Sequence, residues 1–361
     1  MNILAMGATG AIGGQLTSVL AARGDKTFVT TRRALPPTDS IEYIRGDARD
    51  DTFLRELLQR DWDVIVDFMV YDTPAFRRRI DDLLGATRQY VFTSTARVFA
   101  DAGEPLTERS PRLLEASRDQ AFLATDEYAL TKARQEDLLR ASGRDNWTII
   151  RPYITFGEGR LQLGSLEKEA WLYRALKGRK IVFCDALMEK RTTMTDGFDV
   201  ARMIATLVGN SSALGQDYNL AGDRATTWGE VLELYLEELE AHIGRRPGVV
   251  LQDLESFCRI VSSEPQIKYD RMYDRRFNPA KIGQVFDMTS LADCLPALRA
   301  RLCSQLKHNE FLPIDWRAEA LKDRVTAESA ALGEISGGKA KLVYFGYRYF
   351  RGQMSRMVGR A

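Results

Sequence analysis

The sequence is poor in the residues that build metal and redox sites. It has two histidines, His242 and His308, and four scattered cysteines without a CxxC pair. Protein zinc sites are built mainly from histidine and cysteine side chains, and the chain has few of either, so no metal-dependent mechanism is expected. Unpaired cysteines are typical of proteins in a reducing compartment, and we therefore expect a cytoplasmic protein.

The chain also lacks a long hydrophobic run and a strong net charge. No apolar stretch among its 361 residues approaches the roughly 20 residues that span a bilayer, and the first residues predict a core strand, not a signal peptide. The 51 basic and 50 acidic side chains leave a net charge of +1, which predicts no general attraction to nucleic acid. With 45% hydrophobic residues, the composition indicates a globular chain with a large core.

What the chain does have is a glycine-rich turn at its amino terminus, within NILAMGATGAIGGQL. Asn2–Met6 predicts a buried strand, and the apolar spacing of 15–22 predicts a helix. A glycine turn between a strand and a helix allows backbone N–H groups to bind a diphosphate, although a glycine triplet alone also occurs in ordinary loops. The cofactor-binding residues predicted here are Gly7, Thr9, Gly10, Ala11, Ile12 and Gly13.

Further strands alternate with helices along the first half of the chain. The predicted strands are 26–31, 41–44, 63–69, 89–93 and 147–151. This alternation predicts an α/β fold of the Rossmann type, with a doubly wound parallel sheet covered by helices on both faces.

The ends of these strands supply the remaining cofactor contacts. An acid after the second strand binds the ribose of NAD, whereas arginine accommodates the 2′-phosphate of NADP. Because Arg32 and Arg33 occupy that place without a carboxylate, we predict NADP, with NAD possible; two arginines opening a solvated loop is the alternative. Asp47 is a predicted acceptor for adenine. The end of the fourth strand, with Phe68, Met69 and Tyr71, is expected to pass under the cofactor.

A tyrosine and a lysine at helical spacing provide the candidate chemistry. Tyr128 and Lys132 are four residues apart and share a helix face. An ammonium beside a phenol favours the phenolate and lowers the pKa of the phenol from about 10, which makes Tyr128 a candidate general acid and base. A surface Tyr/Lys pair is the alternative, but the pair lies between the fifth and sixth strands, where the cleft of such a sheet needs it.

These segments together resemble the extended branch of the short-chain dehydrogenase/reductase family, which contains nucleotide-sugar epimerases, dehydratases and reductases. The matching motifs are GATGAIG at 7–13, GDARD at 46–50, TSTARVF at 93–99, YALTK at 128–132 and RPYITFGEG at 151–159. Weaker matches continue to about residue 306.

The resemblance implies roles for individual residues and a homodimer. Tyr128 would be the acid and base, Lys132 would bind the nicotinamide ribose, and Thr95, or else Ser94, would orient a substrate oxygen. The other implied contacts are Asp47 and Ala48 around adenine, Tyr153 near the nicotinamide, and Arg97 and Arg191 toward the substrate. Arg191 falls where relatives often bind the sugar-nucleotide diphosphate, although a solvated arginine is the equal alternative.

Two departures from the family pattern bear on the reaction. Dehydratases of this branch carry an Asp-Glu pair where this chain has Ala96 and Arg97, so dehydration is disfavoured. Asp126 and Glu127 replace the usual Ser-Pro before the tyrosine, and their charges would oppose ionisation of Tyr128 unless they point away.

The predicted organisation is a dinucleotide-binding core, an interleaved substrate lobe and an extension. The core is 1–160 with 196–230 returning to it, the smaller C-terminal substrate lobe is 161–195 with 231–306, and the extension is 307–361. The segment 342–360 mixes aromatic residues and arginines without an acid. It predicts either peripheral contact with an anionic membrane surface or packing on the core or a partner subunit.

The expected function is that of an NAD(P)-dependent epimerase or ketoreductase acting on a nucleotide-activated sugar. The alternative is a non-catalytic nucleotide-sensing or RNA-binding member of the same superfamily. The Tyr128/Lys132 pair favours the enzyme, because a sensor does not need a tuned phenol.

Overall fold

A computed structural model of the chain describes residues 1–261 and 263–350. The strands are β1 (Asn2–Met6), β2 (Lys26–Thr31), β3 (Ile41–Arg45), β4 (Trp62–Asp67), β5 (Thr87–Thr93), β6 (Trp147–Pro152), β7 (Ile154–Phe156), β8 (Gln162–Leu163), β9 (Leu166–Glu167), β10 (Ile181–Cys184), β11 (Arg191–Thr192), β12 (Met194–Asp196), β13 (Gln216–Leu220), β14 (Thr226–Thr227) and β15 (Val249–Gln252). The helices are α1 (Ala11–Ala22), α2 (Asp51–Leu57), α3 (Thr73–Gly85), α4 (Leu113–Ala116), α5 (Gln120–Leu123), α6 (Tyr128–Arg140), α7 (Lys168–Leu176), α8 (Gly197–Leu207), α9 (Trp228–Ile243), α10 (Leu254–Cys258), α11 (Glu264–Gln266), α12 (Cys294–His308), α13 (Trp316–Thr326) and α14 (Gly338–Tyr349).

The central sheet has the strand order β13-β6-β5-β4-β1-β2-β3, and every neighbouring pair is parallel. The order reverses between β1 and β4, where a doubly wound sheet forms its ligand crevice. Parallel strands buried on both faces read as apolar runs, as β1 and β4 do in the sequence. The fold is therefore the Rossmann-type α/β fold that the sequence predicts.

Each face of this sheet is covered by its own helices. On one face, Leu16 and Leu20 of α1 and Ile204 and Leu207 of α8 are buried against sheet residues such as Val64. On the other face, the fully buried cluster includes Phe76 and Leu83 of α3, Tyr90 and Phe92 of β5 and Leu139 of α6. Burial of each such side chain contributes roughly 1.5–3 kcal/mol. These clusters fix the carboxyl ends of the strands, where the candidate site lies.

The chain divides into two compact units that interleave along the sequence. Unit 1 is Met1–Gly157, Thr192–Ala225 and Tyr273–Ala297, and unit 2 is Glu158–Arg191, Thr226–Met272 and the described residues from Leu298 onward. The segment 273–297, assigned to the substrate lobe in the sequence, thus belongs to unit 1, and the described part of the extension belongs to unit 2. The substrate-binding role of unit 2 stays a prediction.

Within unit 2, one predicted helix is corrected. The apolar spacing of 161–176 predicts a single amphipathic helix, but the structure has the antiparallel hairpin β8–β9 followed by α7. Gly164 turns the hairpin at φ +61°, a conformation that favours glycine. Trp171 of α7 is fully buried and stacks on Tyr235 at a centroid distance of 4.2 Å, so it is a core residue of unit 2.

The extension forms two helices, α13 and α14, in unit 2. Helix α13 ends at Thr326, because Ala327 adopts a left-handed conformation at φ +57°. Residues 342–350 of the basic-aromatic segment belong to α14 and the residue after it, and 351–360 lie outside the described residues. In the ranges 1–261 and 263–350, no helix combines the length and the apolar character that crossing a bilayer requires.

Candidate active site

The turn between β1 and α1 has the backbone geometry that a diphosphate site needs. Gly7 has φ +69°, and a Cβ at Gly13 would lie 2.4–2.7 Å from backbone atoms of Ala8. A Cβ at Gly10, in contrast, would meet no atom within 4 Å, so this glycine faces open space. Helix α1 begins after Gly10 without a side-chain cap and without an acid in its first turn. The N–H groups of Ala11, Ile12 and Gly13, which lack partners inside the helix, therefore remain suited to an anion.

A cavity of about 250 Å³ adjoins this turn at the carboxyl ends of β1 to β4. Its lining residues are Gly7, Thr9, Thr30, Thr31, Arg32, Gly46, Asp47, Ala48, Arg49, Phe68, Met69 and Val70. Seven of the predicted cofactor residues lie together here: Gly7, Thr9, Arg32, Asp47, Ala48, Phe68 and Met69. Their cofactor contacts stay a prediction, but the open position at Gly10 and this cavity fit a dinucleotide. The same cavity exposes Arg32 and Arg49, which are two guanidinium groups suited to an additional phosphate.

Three other predicted cofactor residues lie elsewhere in unit 1. The backbone N–H of Arg33 donates to the Thr31 hydroxyl in a tight turn, and its side chain is exposed outside the cavity lining. Tyr71 is buried in the helix-covered core, with its ring centroid 6.1 Å from that of Phe76. Tyr153 packs its ring on Phe277 at 5.3 Å. Each is thus held by contacts that do not depend on a cofactor.

The end of β5 separates the two hydroxyls that the sequence offers as candidates for substrate orientation. Ser94 is buried, and its hydroxyl donates to the Glu136 carboxylate at 2.6 Å. Arg151 forms two further hydrogen bonds to that carboxylate, at 2.7 and 2.8 Å. Thr95 begins the following 3-10 turn by accepting from the backbone N–H of Arg97. Because Ser94 is committed to a buried ion-pair network, Thr95 is the better candidate to meet a substrate oxygen.

Tyr128 is the first residue of α6 and is half-buried. The guanidinium carbon of Arg97 lies 5.4 Å from the centroid of the Tyr128 ring, and the same guanidinium forms an ion pair with Glu127. Glu127 also caps α6 by accepting from the Ala129 N–H at 2.6 Å. The largely exposed Asp126 pairs with Arg134 at 3.4 Å. The two carboxylates whose charge would oppose ionisation of Tyr128 are thus each paired with an arginine. Arg97, which follows β5, also contacts the ring of Tyr128.

Lys132 lies one helical turn further along α6 and is completely buried. Its ammonium donates to the Met69 carbonyl at 3.3 Å and lies 4.5 Å from the centroid of the Phe92 ring. Met69 lines the cavity beside Gly7. The amine of Lys132 therefore reaches the edge of the cavity that fits a dinucleotide.

Burial shifts the pKa of this lysine into the neutral range. Desolvation lowers the pKa of Lys132 to about 8, although the nearby Asp67 and Glu136 carboxylates act to raise it. Asp67 ends β4, and it accepts hydrogen bonds from the Tyr90 hydroxyl at 2.7 Å and the Met69 N–H at 2.8 Å. Burial raises the pKa of Asp67 despite these bonds. Perturbed groups in a cleft are typical of functional sites.

Sequence reasoning missed Asp67 and the Glu136–Arg151 pair. Asp67 was visible as a carboxylate inside the largely apolar run of the predicted strand 63–69, which is an unusual place for a charge. Glu136 was visible as the residue four positions after Lys132, on the same face of the predicted helix. The two predicted substrate arginines fall in different units, Arg97 in unit 1 and Arg191, which is exposed, at the end of a segment of unit 2.

Comparison with protein families adds an independent finding. The sequence profile of the NAD dependent epimerase/dehydratase family matches residues 3–221, more than half of the chain. No curated protein matches the sequence.

Solved structures with the same fold include enzymes that act on sugar nucleotides. UDP-glucuronic acid 4-epimerase from Bacillus cereus, in complex with UDP-glucuronic acid and NAD, has a TM-score of 0.63 at 15% identity, over 86% of this chain and 100% of that chain. The dTDP-glucose 4,6-dehydratase from Bacillus anthracis, in complex with NAD, has a TM-score of 0.63 at 18% identity, over 86% and 98%. An epimerase from Methanothermobacter thermautotrophicus has a TM-score of 0.64 at 15% identity, over 85% and 93%. At these identities the likeness shows a shared fold.

Proposed function

The chain belongs to the NAD dependent epimerase/dehydratase family, and from this premise we propose that it is an NAD(P)-dependent epimerase or ketoreductase of a nucleotide-activated sugar. The observation that carries the proposal is the placement of Lys132. Its buried ammonium contacts the carbonyl of Met69, a residue that lines the cavity at the glycine turn. The solved UDP-glucuronic acid 4-epimerase, in complex with UDP-glucuronic acid and NAD, supports the substrate class and the cofactor class.

The residues of unit 1 are assigned the following work. Tyr128 takes a proton from a sugar hydroxyl, or returns one to the oxygen of a sugar ketone, while the bound nicotinamide supplies the hydride acceptor or donor. Lys132 stabilises the phenolate of Tyr128 through its positive charge. Thr95 donates a hydrogen bond to the same substrate oxygen, and Arg97 holds the Tyr128 ring through their cation–π contact. Dehydration stays disfavoured, because Ala96 and Arg97 replace the acid pair of the dehydratases.

The proposed cofactor is NADP, with NAD as the alternative. Arg32 lines the cavity, and the end of β2 from which it extends has no carboxylate to bind the ribose of NAD. Two of the solved structures named above, the UDP-glucuronic acid 4-epimerase and the dTDP-glucose 4,6-dehydratase, contain NAD, so both cofactors are tested. A protein that retains oxidised cofactor through purification supports the epimerase, whereas an empty protein that binds NADPH supports the reductase.

A thermal-shift panel followed by a turnover assay tests the proposal. We expect NADPH or NADH, and then one of the UDP-, GDP-, CDP- or dTDP-sugars, to raise the melting temperature, because a ligand that binds the native state stabilises it. With the sugar so identified, Tyr128→Phe is expected to lower kcat roughly 10²–10⁴-fold, the usual contribution of a positioned proton-transfer group, without loss of cofactor binding.

The control is Tyr43→Phe, a half-buried tyrosine on β3 outside the cavity lining, which is expected to retain activity. If Tyr128→Phe and the unaltered protein turn over the sugar at the same rate, the assignment of Tyr128 fails. If cofactors bind but no sugar nucleotide is converted, the non-catalytic nucleotide-sensing alternative is favoured instead.

A further inference from the structure

Helix α14 of the extension has two faces of different character. Its inner face contains Tyr344, which is fully buried, and Tyr347, which is 8% exposed. The Tyr344 hydroxyl donates to the buried Asp323 carboxylate and accepts from the Ala330 N–H at 2.7 Å. These bonds fix the rotation of α14 about its axis, and that rotation decides which residues face outward.

The outer face of α14 carries an apolar stripe. Leu342, Phe345 and Tyr349 follow at spacings of three and four residues, so they share one side of the helix. Leu342 is 75% exposed, Tyr349 is 53% exposed, and Phe350 just beyond the helix is 58% exposed. The Phe345 and Tyr349 rings lie nearly parallel, with centroids 6.1 Å apart. Adjacent exposed apolar side chains of this kind mark an interaction surface more often than isolated ones do.

Basic side chains border the stripe on both sides. At 100° per residue, Lys341 and Arg348 fall on one flank of the Leu342–Phe345–Tyr349 stripe, and Lys339 falls on the other. The described residues from Ile335 to Phe350 contain no aspartate or glutamate. The sequence continues without an acid through residue 361 and adds three arginines.

The neighbouring helix α13 has its acidic side chains buried and its arginine side chains exposed. Its acids Glu319 and Asp323 are buried and form ion pairs with Arg174 of α7. Its exposed Arg324 donates to the Arg348 carbonyl of α14 at 3.1 Å, and its exposed Arg317 lies 5.1 Å from the Tyr347 ring centroid. The N-cap residue of α13, Asp315, is an exposed acid, but it precedes the first residue of the helix. The acids of α13 therefore turn inward, and its arginines turn toward α14 and solvent.

We propose that the outer face of α14 docks on an anionic membrane surface. Leu342, Phe345 and Tyr349 enter the boundary between headgroups and acyl chains, and the flanking lysines and arginines contact anionic headgroups. Charge complementarity selects this occupant: a second copy of the same face would place cations against cations, whereas an anionic lipid surface matches both the stripe and its flanks. The proposal is independent of the reaction assigned to unit 1.

Co-sedimentation of the full chain with vesicles tests this inference. We expect binding to vesicles of phosphatidylcholine with about 30% phosphatidylserine, weak or no binding to pure phosphatidylcholine, and release as salt is raised above about 0.5 M, because the Debye length then falls to a few ångströms. Lys341→Glu is expected to weaken binding at least about fivefold, the value of one basic residue near such a surface. Leu342→Glu is expected to weaken it further, because the substitution removes an apolar contact and adds a repelled charge.

Leu312→Glu is the matched control, since Leu312 is 70% exposed in unit 2 but lies outside α14. Its binding should equal that of the unaltered chain, and thermal melts of all three variants check that each is folded. Equal binding to neutral and anionic vesicles, or no effect of Lys341→Glu and Leu342→Glu, overturns the proposal. So does a concentration-dependent dimer that Leu342→Glu abolishes in a chain that ignores vesicles, since the stripe would then join two copies.

Discussion

Two buried lysines, Lys132 in unit 1 and Lys322 in unit 2, have the same exposure and different surroundings. Both are at most 2% exposed, and burial lowers the pKa of both. Lys322 donates to the Glu319 carboxylate at 2.8 Å and to the Ala170 carbonyl at 2.7 Å. The hydrogen bond that the structure describes for Lys132 is the longer one to the Met69 carbonyl, at 3.3 Å.

This difference in hydrogen bonding indicates that the charge of Lys322 is structural and that the charge of Lys132 is suited to a function. An ammonium has three N–H donors, and Lys322 uses two of them in short hydrogen bonds inside unit 2. Lys132 has donor capacity left at the edge of the cavity, where a ribose and the phenol of Tyr128 are expected. A buried charge with incomplete compensation costs stability, and such a cost persists where the charge serves a reaction. The proposed roles of both lysines can be tested by matched substitutions.

The largest effect is expected for Lys132→Met, which removes the charge but nearly preserves the volume. Turnover of the sugar identified by the panel should fall roughly 10²–10⁴-fold, because Tyr128 loses the charge that favours its phenolate. The melting temperature should stay the same or rise, since the cost of burying the ammonium disappears. Steady-state kinetics and a thermal melt on one preparation check both. Full activity in a folded Lys132→Met protein would contradict the role of this lysine.

The second-largest effect is expected for Asp323→Asn, which should lower stability. Asp323 lies at the centre of the buried cluster of charges in unit 2. Asp323 accepts from Arg174 at 2.8 Å, Arg179 at 3.1 Å and the Ala330 N–H at 3.0 Å, besides Tyr344. Burial acts to raise the pKa of Asp323, but the Tyr344 bond and the two arginines lower it overall. The substitution removes a buried anion that both guanidinium groups share, although Arg174 keeps its pair with Glu319 and Arg179 keeps its pair with Glu334, so denaturant unfolding should show a loss of about 3 kcal/mol. Turnover of the protein that remains folded should not change, and a large loss of kcat would refute a purely structural cluster.

A smaller effect is expected for Lys322→Met, the counterpart of the first substitution. Glu319 keeps its ion pair with Arg174 at 2.8 Å, so the loss of Lys322 should cost only about 1–3 kcal/mol. kcat should equal that of the unaltered chain. If Lys322→Met instead lowered turnover as much as Lys132→Met, the distinction between the two lysines would be wrong.

Much of unit 1 could be predicted from the sequence because its signals are local. Strands β1 and β2 have the predicted bounds, since short apolar or β-branched runs between turns identify buried strands. Asp50 caps α2 by accepting from Thr52 and Phe53, as an acid before a helix predicts. The glycine spacing at 7–13 likewise predicts a turn. In the structure, two of its three positions favour glycine, because Gly7 has φ +69° and a Cβ at Gly13 would overlap backbone atoms of Ala8.

The missed features depend on contacts between distant segments. The buried hydrogen bond of Asp67 forms only when β4 pairs with β5, because this pairing brings the Tyr90 hydroxyl to the Asp67 carboxylate. Ser94 and Thr95 are equivalent in the sequence, and only the packing of α6 on β5 gives Ser94 its partner Glu136. The β8–β9 hairpin did have a local signal, the Gly164-Ser165 pair, but the apolar spacing of the same stretch also fits a helix.

The smallest predicted effect concerns how turnover and the free energy of unfolding depend on pH. Since the pKa of Lys132 is lowered to about 8, turnover should fall as the pH rises through about 8, where the ammonium loses its proton. Stability should change in the opposite direction. Between about pH 8 and the ordinary lysine pKa of 10.5, the unfolded chain binds more protons than the folded one, so the free energy of unfolding should rise with pH across that window.

Asp67→Asn measures how far the carboxylate under Lys132 sets this transition. Asp67 acts to raise the pKa of Lys132, so its neutral amide analogue should move the basic limb of the kcat/KM profile below pH 8, by about one unit or less. Asp63→Asn is the control, because Asp63 lies on the same strand, is only half-buried and pairs with Arg88 at 3.5 Å. If the limb keeps its position in Asp67→Asn, Asp67 already holds a proton in the unaltered chain, as its raised pKa would allow, and Lys132 is then tuned by burial and Glu136 alone.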